Sequence, residues 1–208
     1  LASPYSGQLL LSTNGGDNWT AQGPDLVWSG VASSSTGQWL IASSYDGLFT
    51  SNDSGLTWER RLALMDNWRA TASSSSGAVL YAANGDDGHL YVSHDYGITW
   101  EARAPDFGST NTITCSGDGE SVAVPNFGGS IRLSSDRGQT WTAYGPNAGW
   151  AHISLSPDGS KMVGLTNDSI YISGTGSVVL LPESSVSLTY VGSNTFFLTE
   201  VHGNVEAP

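Results

Sequence analysis

The chain carries Ser51-Asn52-Asp53-Ser54-Gly55-Leu56-Thr57-Trp58, and this octet returns three more times. The other copies are Ser12-Thr13-Asn14-Gly15-Gly16-Asp17-Asn18-Trp19, Ser93-His94-Asp95-Tyr96-Gly97-Ile98-Thr99-Trp100 and Ser134-Ser135-Asp136-Arg137-Gly138-Gln139-Thr140-Trp141. Successive box tryptophans stand 39, 42 and 41 residues apart. Self-similarity at such a period is the signature of repeats that stack on their neighbours to share a core.

Working outward, each box is embedded in the same longer pattern. Residues 31–42 align with 71–82, 113–124 and 153–164, each an alternating strand, a Gly-containing turn and a second strand. A loop such as Ser43-Ser44-Tyr45-Asp46-Gly47 follows, then a third strand (Leu48-Phe49-Thr50) that enters the box, and a fourth beginning at Trp58. Four short antiparallel strands per repeat make one β-propeller blade. Ile170-Tyr171-Ile172-Ser173 reads as a fifth third strand, followed by a decayed box at Gly174-Thr175-Gly176-Ser177.

The ends fit the same scheme. Leu1-Ala2-Ser3 reads as the tail of a second strand and Leu9-Leu10-Leu11 as a third. Residues 186–191 and 196–199 read as a first and a second. The expectation is therefore an all-β fold, a five-bladed β-propeller of four-stranded antiparallel blades, with the closing blade shared by the N- and C-termini. Residues 1–208 form a single domain on this reading, with a piece of a six- or seven-bladed ring as the alternative.

Composition narrows the partners. Nineteen acidic residues against seven basic ones give a net charge of −12, and Lys161 is the single lysine. Phosphate recognition needs clustered Lys and Arg, so nucleic acid and anionic membrane surfaces are disfavoured. No stretch has the length of an apolar membrane span. The one cysteine, Cys115, excludes an internal disulfide and reads as a small core residue. No signal peptide is visible, and since Leu1 is not a start methionine a processed or truncated beginning stays open.

The boxes resemble the Asp-box, or BNR, repeat of sialidase-like β-propellers. Trp28-Ser29-Gly30-Val31-Ala32-Ser33-Ser34 and Asn67-Trp68-Arg69-Ala70-Thr71-Ala72-Ser73-Ser74 are similar to segments of tandem Asp-box proteins called sialidase-like without shown activity. The resemblance implies that the box turns lie on the face opposite a ligand-binding mouth. It speaks for fold far more than for chemistry.

Within a box the carboxylates of Asp53, Asp95 and Asp136 suit bonds from backbone N–H groups across the turn, with Asn14 as the substitute in the first copy. Gly55, Gly97 and Gly138 permit positive φ, and Trp19, Trp58, Trp100 and Trp141 supply apolar bulk. A structural role is favoured over a metal or ligand site in each box.

Candidate binding residues come from the other loops. Trp28, Trp68 and Trp150 share one position before the innermost strand, where Thr110 and Ser185 stand in the other two copies. Accessible aromatic plates there would stack on sugar faces or flat apolar ligands, whereas buried rings would be packing between blades. Arg69 and His152 follow two of them, Asp25, Asp66 and Asp106 precede, and Tyr5, Tyr45, Asp46 and Phe127 occupy the second loop set. Asn84-Gly85-Asp86-Asp87-Gly88 has oxygen ligands for Ca²⁺ but no spaced series, so a plain acidic turn is preferred.

The sialidase set that the resemblance would bring is not met: of six arginines only Arg69 is placed at the mouth, and the Arg-Ile-Pro segment is missing. A carboxylate-pair glycosidase is harder to dismiss, since Asp residues do lie near the mouth. The reading is a non-catalytic binding module for carbohydrate or a protein surface, without cofactor or metal, in a secreted or cell-surface setting. The alternative is a self-assembling structural subunit. Some Asp-box propellers of photosynthetic organisms act as assembly factors on membrane complexes, a role for which a basic patch would be expected. Sequons at Asn18, Asn52 and Asn167 are as frequent as chance gives in so Ser/Thr-rich a chain.

Overall fold

The structure, a computed structural model, describes residues 1–62, 67–85, 88–103, 107, 110–126, 128–166 and 170–173. Beyond these it describes strand backbone at 179–180, 185–190, 196–202 and 205–206. β1 (Gly7–Leu11) pairs antiparallel with β2 (Thr20–Leu26), and Ala2 bridges to Leu10 on the other edge of β1. That bridge is the second-strand tail expected at the N-terminus.

Two full blades follow: β3 (Trp28–Ser33), β4 (Leu40–Ser44), β5 (Gly47–Ser51) and β6 (Glu59–Leu62), then β7 (Trp68–Ser73), β8 (Leu80–Asn84), β9 (Leu90–Ser93) and β10 (Glu101–Arg103). A third comprises β11 (Thr114–Cys115), β12 (Val122–Pro125), β13 (Ile131–Ser134) and β14 (Thr142–Tyr144). Each is a four-stranded antiparallel meander paired in chain order. The outermost strands are polar and short; the second strands, such as Leu40–Ser44 and Leu80–Asn84, are buried at every position because blades cover both of their faces.

The next blade contains β15 (Trp150–Leu155), β16 (Met162–Thr166) and β17 (Ile170–Ile172). Among the described residues no fourth strand pairs with β17. β18 (Val179–Leu180) pairs instead with β21 (Val205–Glu206), and β19 (Ser185–Tyr190) with β20 (Phe196–His202). The last hairpin matches the first and second strands read from the sequence. Among the described residues no pairing joins that hairpin to β1 and β2. In sequence the decayed copy keeps the box serine as Ser173 but lacks the Asp and Trp of the other copies. Gly174–Ser177 themselves lie outside the described residues.

Blades stack through their inner strands, with β3 beside β7, β7 beside β11 and β11 beside β15. The largest core cluster, including Tyr81, Leu90, Val92, Phe107, Val122 and Val124, spans two blades. Cys115 packs against this cluster, and burial pushes its thiol up to about 12. On the box face a line of backbone bonds runs from blade to blade: Ser35 N–H to Ser75 O (2.9 Å), Ser75 N–H to Gly117 O (2.7 Å) and Gly117 N–H to Pro157 O (2.6 Å). Gly77 shows how tightly these turns meet. Its φ is +80°, and a Cβ there would lie 2.4 Å from Trp39 Cβ of the preceding blade.

Candidate functional site at the face opposite the boxes

The boxes are closed hydrogen-bond circuits. Ser51 Oγ donates to Asp53 Oδ1 (2.7 Å) and accepts from Gly55 N–H (2.8 Å). Thr57 N–H donates to Asp53 Oδ1 (2.9 Å), its hydroxyl to Oδ2 (2.6 Å), and Trp58 Nε1 to Gly55 O (3.0 Å). Asp95 and Asp136 repeat the set with Ser93, Thr99 and Trp100, and with Ser134, Thr140 and Trp141. In the first copy Asn14 accepts from Ser12 Oγ (2.9 Å) and Asn18 N–H (3.0 Å), and Trp19 Nε1 bonds Gly16 O (2.9 Å), but no hydroxyl stands at residue 18.

The turn needs two successive left-handed residues. Gly55, Gly97 and Gly138 supply the second, while Ser54, Tyr96 and Arg137 take the first at φ 61–62°. These donors hold the carboxylates below their ordinary range: Asp53 and Asp136 chiefly through the threonine hydroxyl, Asp95 chiefly through the Thr99 N–H, with Asp136 brought to about 2. Both oxygens of each carboxylate are engaged by donors of their own turn, which accounts for the box as a structural device. Among the described residues no group of His, Cys, Asp and Glu is arranged to hold a metal.

At the opposite face the structure corrects one expectation. Trp28, Trp68 and Trp150 are buried, with 4%, 1% and 5% of their surface exposed, so their rings offer no stacking platform. Each follows one design. The ring meets an aromatic of its own blade's third strand edge-on: Phe49 at 5.4 Å, Tyr91 at 5.1 Å and Tyr171 at 5.0 Å between centroids. The indole N–H of Trp28 bonds Gly7 O (2.9 Å) and that of Trp150 bonds Gly129 O (3.0 Å), both in the preceding blade and both 21 residues upstream. A bulge just after each tryptophan, at Ser29, Arg69 and Ala151, shifts the register at the strand's start. The tryptophans are wedges between blades. The signal was in the sequence: a third-strand aromatic accompanies each one at 21–23 residues.

The bulges set the polar residues of the mouth. Arg69 Nη1 donates to Asn111 Oδ1 (3.1 Å), while its Nε is buried without a partner. A Cβ on Gly85 would sit 2.3 Å from that Nε, so the side chain lies flat over the glycine. One residue on, Thr112 Oγ1 and His152 Nδ1 stand 3.4 Å apart, with the His152 ring exposed. Arg69, Asn111–Thr112 and His152 thus come from three consecutive inner strands or their lead-ins. Asn111 was not singled out from the sequence; its place one residue after Thr110, as Arg69 follows Trp68, is what would have found it. Thr110 fills the tryptophan position as a buried residue whose hydroxyl bonds Thr112 O (3.0 Å).

Tyr45 and Asp46 lie on a different part of this face. Tyr45 is 61% exposed; Asp46 is half-buried, its N–H on Ser44 Oγ (3.1 Å) and its carbonyl accepting from the Arg60 guanidinium. Asp66, Asp86, Asp87, Asp106, Phe127 and the sequon at Asn167 lie outside the described residues. A cavity of about 80 Å³ beside Trp150, lined by Ile131, Tyr144, Pro146, Met162 and Tyr171, has room for a few waters rather than a ligand.

Antiparallel sheets stacked through their first strands, with Asp-box turns repeated along the chain, give an architecture of β-propeller type. The BNR-Asp box repeat family matches residues 90–102, which contain the third box. No curated protein sequence gives a significant match. Among solved structures the chain is similar to a GH74 enzyme from Niastella koreensis (TM-score 0.63, 16% identity, 81% of this chain and 32% of that one). It is also similar to an ancestral GH74 enzyme (0.66, 14%, 98% and 36%) and to YCF48 bound to D1 peptide (0.55, 18%, 76% and 52%). The chain thus spans a third to a half of the length of these proteins, and at such identities the likeness is one of fold.

Proposed function

We propose that the chain is a non-catalytic recognition propeller, of five blades closed by strands from both termini, that binds a protein surface or a carbohydrate through the face opposite the boxes. The observation that carries this reading is the row Arg69–Asn111 and Thr112–His152 at the mouth. A guanidinium, an amide, a hydroxyl and an imidazole are hydrogen-bonding groups suited to holding a polar ligand. The burial of Trp28, Trp68 and Trp150 removes the aromatic support for sugar stacking at that spot and shifts the weight toward a protein ligand. A YCF48 structure with a bound peptide is in keeping with this. A secreted or cell-surface location accords with the sparse lysine and acidic surface.

The test is a screen of the purified chain on peptide and glycan arrays, followed by substitution. Arg69→Ala with His152→Ala should abolish the binding found while leaving melting unchanged, and Leu56→Ser with Ile98→Ser on the box face should not affect it. Binding lost only on box-face substitution would overturn the reading.

The second reading, a self-assembling structural subunit, has its own observation. Leu56 and Ile98 occupy the same box position in adjacent blades and are 65% and 59% exposed. Light scattering decides it: oligomers dispersed by Leu56→Ser/Ile98→Ser support assembly, and a monomer at all concentrations excludes it.

A further inference from the structure

While Trp28, Trp68 and Trp150 turn inward, Tyr5 and Tyr45 do the opposite, at 85% and 61% exposure. They hold the same place in successive blades, two residues before a glycine that opens the third strand, Gly7 (φ +114°) and Gly47 (φ +134°). The two loops are neighbours. Gly7 pairs with Leu26 and receives the Trp28 indole bond on its carbonyl, and Trp28 pairs with Ser44, next to Tyr45. Val27, between Leu26 and Trp28, is 43% exposed and completes an apolar patch with the two tyrosines.

The Tyr45 loop is fixed. A Cβ on Gly47 would lie 2.1 Å from Leu62 O, and the Arg60 guanidinium holds the Asp46 carbonyl. A loop backbone held in this way loses little entropy when something covers it. Around them stand the exposed Asp25 and the half-buried Asp46, on a chain of net charge −12. Tyrosine faces attract cations, neighbouring carboxylates neutralise them, and the negative field of the chain raises their encounter rate.

We infer that Tyr5, Val27 and Tyr45 form a docking site for a cationic segment of a protein partner, whose Arg or Lys side chains lie over the tyrosine rings and meet Asp25 and Asp46. The inference rests on the proposed use of this face for recognition and adds the chemistry of the partner.

The test titrates the whole chain with a capped peptide of alternating arginine and glycine, six residues long, with the glutamate–glycine peptide and cellohexaose as parallel arms. Calorimetry gives affinity, and NMR follows the tyrosine ring signals. The arginine peptide should shift Tyr5 and Tyr45, weaken as salt rises, and lose about tenfold in affinity with Tyr5→Ala/Tyr45→Ala. Tyr5→Phe/Tyr45→Phe should bind normally, as should Tyr144→Ala on an outer strand. Peptide binding indifferent to the double alanine change overturns the inference, as does a tyrosine response to cellohexaose in place of the peptide. In either case the recognition reading stands if Arg69→Ala/His152→Ala still abolishes binding of a screened ligand. Should neither pair of substitutions affect any ligand bound, both fall.

Discussion

Replacing Trp68 by alanine separates a wedge from a binding plate. The ring is 1% exposed, packs edge-on against Tyr91 at 5.1 Å and joins the cluster with Leu48 of the preceding blade and Ala82 of its own. Emptying a buried tryptophan site costs about 3–5 kcal/mol, within which the aromatic pair accounts for about 0.5–1.5 kcal/mol. For a chain of this length each kcal/mol lowers Tm by roughly 2–4 °C, so the expected fall is on the order of 10 °C. Trp68→Phe, which keeps the apolar contact with Tyr91 and Leu48, should fall by less than half as much. Urea titration followed by far-UV circular dichroism gives the free energy. Hydrogen exchange shows whether β7 and β8 open ahead of the other blades, as nearest-neighbour stacking requires. A loss below about 1 kcal/mol, accompanied by selective loss of ligand binding, would refute the wedge and restore the ring to the binding surface.

Acid should unfold the chain over a defined window. The carboxyls of Asp53, Asp95, Asp118, Asp136 and Asp158 are all lowered, the last two to about 2. A depressed folded pKa stabilises above the unfolded value near 3.9, and the contribution is lost as pH falls through the folded value, so stability should drop steeply from about pH 4 toward 2. Asp95→Asn with Asp136→Asn should flatten that slope in a pH series of melting temperatures. In the first box, Asn14→Asp with Asn18→Thr installs the missing hydroxyl–carboxylate bond; a gain at or below about 1 kcal/mol is expected on this exposed turn, read as a higher Tm. Gly77→Ala meets both a φ of +80° and the contact with Trp39, and should cost more than 2 kcal/mol, roughly, in urea unfolding, whereas the open Gly37→Ala should cost distinctly less.

The blade pattern was legible because it is local and repeated. Alternation, a turn glycine and the box each fall within a dozen residues, so strands such as Leu48–Thr50 and Ile170–Ile172 could be read with little error. The direction of Trp28, Trp68 and Trp150 was not, since it depends on a bulge and on a carbonyl 21 residues back in another blade, neither of which alternation reveals. The pairing of Arg69 with Asn111 is likewise set between blades. Arg69 was named, and its partner came only with the stacking. Tyr45 was named for its loop, and the structure leaves it exposed while Trp28 beside it is buried.

The bonds from Ser35 to Ser75, Gly117 and Pro157 have a consequence for variation. They use main-chain atoms, so they tolerate change of the Ser35 or Ser75 side chain but not change of turn length. One rim of the propeller is therefore held to a fixed count of residues, like the pitch of a gear. Tyr45 and His152 lie at the other rim and take no part in that count. Their exposed side chains can be exchanged without touching those main-chain bonds, which leaves specificity free to diverge while the stacking of the blades is kept.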